Sequence, residues 1–195
     1  MYIKGKRIIL RSKKINDVKN DFDWRTNEEL SRLDATIPIN HSFEEFHRYS
    51  QQEIDFPSLS SVRLAIDTLG GEHIGNIMYY DIDLRKYEAE LGIMLGKEFW
   101  GKGYGLEALE LLINHIFSKT SLNRIYLHTL DWNIRAQRSF KRAGFELKDK
   151  IKRSKQEFFV MDIIKKNWIE NNPNIEEQIK LNDSYSQTND GNDGN

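Results

Sequence analysis

Two short stretches concentrate the residues able to hold a charged or reactive group. The first, GKEFWGKGYGLEA at residues 96–108, sets Gly96, Gly101, Gly103 and Gly105 around Trp100, Lys102 and Tyr104. It lies between an apolar run and a segment of helical period. A strand, a loop poor in Cβ atoms and a helix N-terminus, in that order, suit an anion: unpaired backbone N–H groups converge where a phosphate can come close. What the loop lacks narrows the choice of phosphate. After Gly96, four residues, Gly101 and Lys102, a P-loop needs Ser or Thr to ligate magnesium, and this chain has Gly103. The dinucleotide pattern G-x-G-x-x-G also fails, because Gly101 and Gly103 are followed by Gly105 and Leu106. The second stretch, NIRAQRSFKRAG at residues 133–144, carries Arg135, Arg138 and Arg142 on one predicted helix. A basic run of this kind on a surface helix is usually its solvated face.

The elements that must position these stretches read from the period of the apolar residues. Strands are expected at 6–12, 61–67, 73–83 and 87–95, the last three as an antiparallel meander with TLGGE as its first turn. Helices are expected at 15–25 and at 42–54, the second opened by a Ser42/Glu45 capping box. Residues 33–40, interrupted by Pro38, are read as a loop. From Gly105 the period lengthens: Leu109, Leu112, Ile113 and Ile116 form one helical face that ends near Ser118. A strand at 124–130, a helix at 133–144 capped by Asn133 and stopped by Gly144, and a strand at 157–164 complete the pattern.

The chain of 195 residues is long enough for one core, so a single domain over 1–170 is expected, followed by a polar, disordered tail over 171–195. A net charge of -1 gives no general attraction to nucleic acid or to an anionic membrane, and neither is expected as a partner. No cysteine is present, which excludes disulfides, thiolate metal sites and cysteine nucleophiles. The five histidines show no paired-ligand spacing, so no metal is expected. No apolar run is long enough to span a bilayer, and the cytoplasm is the expected location.

The strand AELGIML, the loop G-x-G-x-G and the downstream NIRAQRSFKRAGF together resemble the GNAT superfamily of acyl-CoA-dependent N-acyltransferases. Gly103 and Gly105 match the glycines of its [Q/R]-x-x-G-x-[G/A] signature, while Trp100 replaces the leading Gln or Arg. The phrasing EFWGKGYGLEAL and the pattern N-x-R-A-x-R-S-F-x-x-x-G-F are similar to the RimJ/RimL branch, the ribosomal-protein alanine and spermidine acetyltransferases. The resemblance covers about residues 5–165. With the elements above it implies an α+β fold: a mixed, mostly antiparallel sheet flanked by helices and opened into a V between the strand ending at Leu95 and the strand from Arg124. Acetyl-CoA would lie in the V as co-substrate, and the acceptor would enter from the opposite side over residues 33–41. The branch also implies a homo-oligomer.

Carried onto matching positions, the resemblance implies that the backbone of Ile93, Met94 and Leu95 pairs with the pantetheine arm. Trp100, Gly101, Lys102, Gly103, Tyr104, Gly105 and Leu106 would wrap the pyrophosphate. Asn133 would hold the pantetheine or place the thioester, and Arg135, Arg138 and Arg142 would reach the adenosine phosphates. The implied acceptor is a primary amine, on a small molecule or a protein N-terminus, and its ammonium must lose a proton before attack. Glu90 is the candidate base, alone or through a water; its bland alternative is a solvent-facing strand glutamate, with Glu88 two residues away. The tyrosine that commonly protonates the departing thiolate is replaced by Phe140. Ser139, water, or a tyrosine elsewhere such as Tyr104 or Tyr126 must then supply the proton. Phe140 also favours a rival reading, an acyl-CoA-binding sensor or partner module without transfer.

Overall fold

The computed structural model describes residues 1–173. Its strands are β1 (Tyr2–Lys4), β2 (Ile8–Ser12), β3 (Val62–Thr68), β4 (His73–Asp83), β5 (Glu88–Leu95), β6 (Arg124–Leu130), β7 (Glu146–Arg153) and β8 (Gln156–Ile164). Its helices are α1 (Val18–Thr26), α2 (Glu28–Leu33), α3 (Phe43–Asp55), α4 (Tyr104–Lys119), α5 (Ile134–Arg142) and α6 (Lys165–Asn171), with single 3₁₀ turns at Ile15–Asp17 and Lys97–Phe99. The strands form one sheet in the order β1-β2-β3-β4-β5-β6-β8-β7. Every neighbouring pair is antiparallel except β5 and β6. Those two run parallel and pair only at Glu88↔Arg124, Ala89↔Ile125 and Glu90↔Tyr126. Beyond Glu90 they part, and the open edge of β5 from Leu91 to Leu95 forms one side of the expected V.

The core lies between the sheet and α4. Ala108, Leu109, Leu112, Ile113, Ile116 and Phe117 of α4 are buried against Ile8, Leu10, Leu64, Ile66, Ile77 and Ile125 of the strands. Each such aliphatic or aromatic side chain contributes about 1.5–3 kcal/mol on burial, which fixes α4 and hence the glycine loop at its N-terminus. On α5, Phe140 and Gln137 are buried, Asn133 caps the helix by accepting the Ala136 N–H at 3.2 Å, and Gly144 ends it at φ 94°. A side chain at Gly144 would be strained by that φ and would press on Ile163 at 3.2 Å.

The capping box of α3 forms as expected, Ser42 Oγ accepting the Glu45 N–H while Glu45 accepts the Ser42 N–H. Four elements escaped the reading of apolar period. β7, ELKDKIKR, alternates no apolar face because it is an edge strand exposed over nearly its whole length. β1, α2 and α6 have 3, 6 and 7 residues, too few to establish a period. The tail expected from 171 starts within the last residue of α6, and the remainder of that expectation lies outside the described residues. No described helix is long and apolar enough to cross a membrane.

Candidate active site

The V divides into two clefts that meet at their bases. One, of about 420 Å³, runs from the open edge of β5 over the glycine loop to α5 and is lined by Ile93, Met94, Leu95, Trp100, Gly101, Gly103, Gly105 and Leu106 together with Asn133, Arg135, Arg138, Ser139 and Arg142. The other, of about 430 Å³, opens on the opposite side beneath residues 33–36 and is lined by Asp21, Arg25, Asn76, Tyr80, Glu90, His128 and Arg153 among others. Ile93, Met94, Asn133, Ala136 and Phe140 line both, so a group extended along β5 reaches the second cleft at Phe140.

The geometry of the first cleft follows from strand pairing. The Gly96 N–H donates to the Ile74 carbonyl at 3.0 Å, continuing the register Gly75↔Leu95 and Ile77↔Ile93. Hydrogen-bonded and non-bonded pairs alternate in an antiparallel ladder. Met94 and Gly92 therefore turn their N–H and C=O toward β4, and Ile93 and Leu95 turn theirs to the open edge. The backbone of Met94, expected with its neighbours to meet the pantetheine arm, is committed to Asn76 instead. The Leu95 carbonyl takes the Trp100 indole N–H at 2.9 Å, which locks the start of the glycine loop to the end of β5.

In the loop, Gly101 and Gly103 hold φ 73° and 82°, and a Cβ on Gly101 would meet nothing within 4 Å. Both conformations strain any L side chain, and the bare backbone leaves the first turn of α4 approachable. Gly103 caps α4 without a side-chain bond, so the first N–H groups of the helix face the loop. From outside, Arg7 straps the loop down: its guanidinium donates to the Lys102 carbonyl and to Glu107, each at 2.8 Å, and lies 5.2 Å from the Tyr104 ring centroid. Lys102 and Tyr104 thus belong to the strap, and neither lines the cleft. Where the family signature has Gln or Arg, Trp100 carries the guanidinium of Arg135 over its ring at 3.2 Å from the centroid. A cation from the second motif accordingly stands over the position where the first motif lacks a polar side chain.

The second cleft is built of charge pairs. Glu88 and Glu90 share one face of β5, as alternation requires, but their partners differ. Glu88 is bound by Arg124 at 2.6 Å, and Arg124 also holds Asp162 at 2.8 Å. Glu90 faces the cleft, and its Oε1 lies 2.7 Å from Nδ1 of His128, with the two side chains 14% and 12% exposed. Tyr80, opposite Glu90 on β4, is pushed above the usual tyrosine range by burial and then by the charge and hydrogen bond of Glu90, so its phenol keeps its proton beside that carboxylate. Asp34 pairs with Arg25 at 3.0 Å, and Asp21 with Lys13 at 2.6 Å. Lys13 also donates to Asn76, whose amide donates back to Asp21.

The two motifs read from the sequence therefore come together on the first cleft, and Glu90 stands on the second, across the junction from Ser139. Ser139 is the one hydroxyl-bearing residue among the described residues lining the first cleft; Tyr104 and Tyr126 line neither. Of the acidic residues near the acceptor loop, Asp34 lines both clefts, whereas Glu45 is engaged in the α3 cap and Glu53 in a pair with Arg63. Trp24 is buried, whereas Trp132 is 42% exposed and receives Arg32 at 4.9 Å. Sequence reasoning missed Tyr80, His128 and Arg153. The signal for His128 was the alternation of β6, which puts Tyr126 and His128 on the face of Glu90; nothing in the charged edge strand β7 announced Arg153.

Comparison with known proteins identifies the family of this fold. Residues 7–146 match the acetyltransferase (GNAT) domain family model. An uncharacterized N-acetyltransferase, p20, of Bacillus licheniformis is 43% identical over 54 residues, which span 28% of this chain and only 30% of that protein. A probable spermine N(1)-acetyltransferase of Bacillus subtilis subsp. natto is 29% identical over 122 residues, 62% of this chain and 75% of that one. Among solved structures, spermidine N-acetyltransferase from Vibrio cholerae, in complex with CoA and spermine, superposes with a TM-score of 0.76 at 20% identity, over 85% of this chain and 99% of that one. With a family model matched across most of its length and a sheet parted between β5 and β6, the chain belongs to the acetyltransferase (GNAT) domain family.

Proposed function

We propose that this chain transfers the acetyl group of acetyl-CoA to a primary amine by direct attack in a ternary complex, and that residues 1–170 carry the whole activity. The observation that carries the reading is the meeting of two clefts at Phe140 and Ile93, one with a phosphate-type loop and arginines, the other with a cleft-facing carboxylate. The first fits the cofactor chemically. The open edge at Ile93 and Leu95 offers strand-like bonds to an amide-bearing arm, the left-handed glycines bare their N–H groups to a pyrophosphate, and Arg135, Arg138 and Arg142 supply positive charge at the far end. When bound, acetyl-CoA supplies an activated acyl carbonyl and a thiolate leaving group, whose parent thiol ionises near pH ~8.5.

The protein's own work lies on the amine. At pH 7 an amine of pKa ~10.4 is about one part in a few thousand neutral, a cost of roughly 4–5 kcal/mol. Glu90 accepts that proton directly or through a water, as the amine enters beneath residues 33–36. The N–H groups of Ile93 and Leu95 stabilise the oxyanion formed by attack, and the proton shed by the attacking nitrogen passes to the leaving sulfur through Ser139 as a relay or through a water. Three carboxylates, Asp21, Asp34 and Glu90, line the acceptor cleft, and relatives carry names of polyamine acetyltransferases. Small di- and polyamines are therefore the first acceptors to test. The second reading, acyl-CoA binding without transfer, draws on Phe140 standing where a tyrosine acid is common.

The test is free-thiol release from acetyl-CoA on adding pools of polyamines, monoamines, aminoglycosides and peptide N-termini. Amine-dependent release establishes the transferase and identifies the pool. Binding of acetyl-CoA with no release from any pool favours the sensor.

A further inference from the structure

Glu90 does not stand alone, and the chain of groups behind it is defined by donor chemistry. Its Oε1 lies 2.7 Å from Nδ1 of His128, and Nε2 of the same ring lies 3.2 Å from a terminal guanidinium nitrogen of Arg153. Arginine donates only, so the ring nitrogen that faces it must be the acceptor. Nε2 therefore carries no proton, and Nδ1 carries the N–H that points at Glu90. The carboxylate, an acceptor only, asks for the same Nδ1–H, so what Arg153 adds is a bar to a proton on Nε2; a ring free of it can carry protons on both nitrogens.

The placement of Arg153 is unusual. It closes the register of the β7–β8 hairpin opposite Gln156, and the two turn residues, Ser154 and Lys155, both adopt left-handed φ of 46° and 68° without being glycine. Such turns match the twist of a two-residue hairpin but disfavour ordinary L side chains. A strained turn thus brings an otherwise polar edge strand over the acceptor cleft, where Arg153 and Phe158 form part of its wall.

We propose that Arg153 and His128 are positioning residues for Glu90: Arg153 keeps Nε2 of the ring unprotonated, and the Nδ1–H of His128 orients the carboxylate by binding Oε1. The same bond keeps the carboxylate from turning back toward the Glu88–Arg124–Asp162 cluster beside it. The proposal rests on the reading of Glu90 as the base, but its decisive observable does not depend on turnover.

That observable is the tautomer itself, read from the ring nitrogen shifts of the full chain labelled with nitrogen-15 in histidine, with His128→Gln used to assign the signal. The wild type should show His128 protonated on Nδ1 and unprotonated on Nε2. Arg153→Ala should add a population with Nε2 protonated, Nδ1 keeping its proton against Glu90, and lower kcat about tenfold, with KM for the amine held within about twofold, as expected for disturbing a group that orients a proton acceptor. Arg153→Lys, which keeps a donor, should restore part of both. Lys152→Ala on the same hairpin serves as a control that should change neither. An Nε2 that stays unprotonated in Arg153→Ala overturns the proposal, and so does a newly protonated Nε2 with unchanged kcat. Full activity in Glu90→Gln instead removes the base assignment on which it rests, and leaves the tautomer result standing as a separate finding.

Discussion

The two clefts solve opposite problems with different materials. The first is walled mainly by backbone: an unpaired strand edge, two left-handed glycines and the start of α4, with arginines only at the far end. The second is made of side chains in pairs, Glu90 with His128, Asp34 with Arg25, Asp21 with Lys13. A backbone site tolerates changes of side chain but not of conformation, whereas a paired site fails when one member is removed and its partner is left uncompensated. Motif matching consequently finds the first and is nearly blind to the second.

The sharpest test of this contrast is Glu90→Gln. Loss of the base should lower kcat about 100-fold, within the range for general base catalysis, while calorimetry finds acetyl-CoA affinity unchanged. An equal loss of affinity would mean that the clefts are not divided as described.

Next in size is acid sensitivity, which should appear on the acceptor side. Burial alone would raise the Asp17 carboxyl, but hydrogen bonds from Arg11 and from the Lys14 N–H, with the charge of Lys13, outweigh it and lower the group to about 2. Because the folded value lies below the ordinary aspartate value of 3.8, the stabilisation is complete above about pH 4 and is lost as pH falls toward 2. Denaturant unfolding should record a fall of about 2 kcal/mol across that window, much reduced in Asp17→Asn. Since Lys13 bonds both Asp21 and Asn76, the acceptor wall should loosen first, and acid should raise KM for the amine before it weakens acetyl-CoA binding.

On the cofactor side the expected effects are smaller and conformational. Gly103→Val forces a branched side chain into φ 82° and brings it against Arg7, 3.1 Å from the Cβ position. A cost of about 1–2 kcal/mol should weaken acetyl-CoA binding about tenfold, with kcat at saturating donor little changed. Smallest is Arg135→Ala, which removes one charge and its stacking on Trp100. Affinity should drop about threefold, and less at high salt, as titrations at two ionic strengths would reveal.

Much of the fold was legible because its main elements have a face. α4 announces itself through Leu109, Leu112, Ile113 and Ile116, α3 through Ser42 and Glu45, and α5 through Asn133 and Gly144. β7 was not legible, since an exposed edge needs no apolar alternation. Within the site, Gly101, Gly103 and Asn133 could be placed by local rules of turn and cap. The partner of Glu90 could not, because choosing His128 over Arg124 depends on where two parallel strands stop pairing, and that divergence is a property of the whole sheet. Arg153 was further removed still, lying on the one strand whose sequence carried no pattern.

The parting of β5 and β6 after three pairs has a thermodynamic consequence. A ligand seated along Ile93 and Leu95 occupies the place of a missing strand, so the native sheet is complete only in its presence. Ligand that binds the folded chain alone adds about 2.7 kcal/mol when its free concentration is a hundredfold above Kd. The melting temperature of this protein would then be set partly by the supply of acetyl-CoA around it, and when that supply ran low the protein would lose substrate and structural support together.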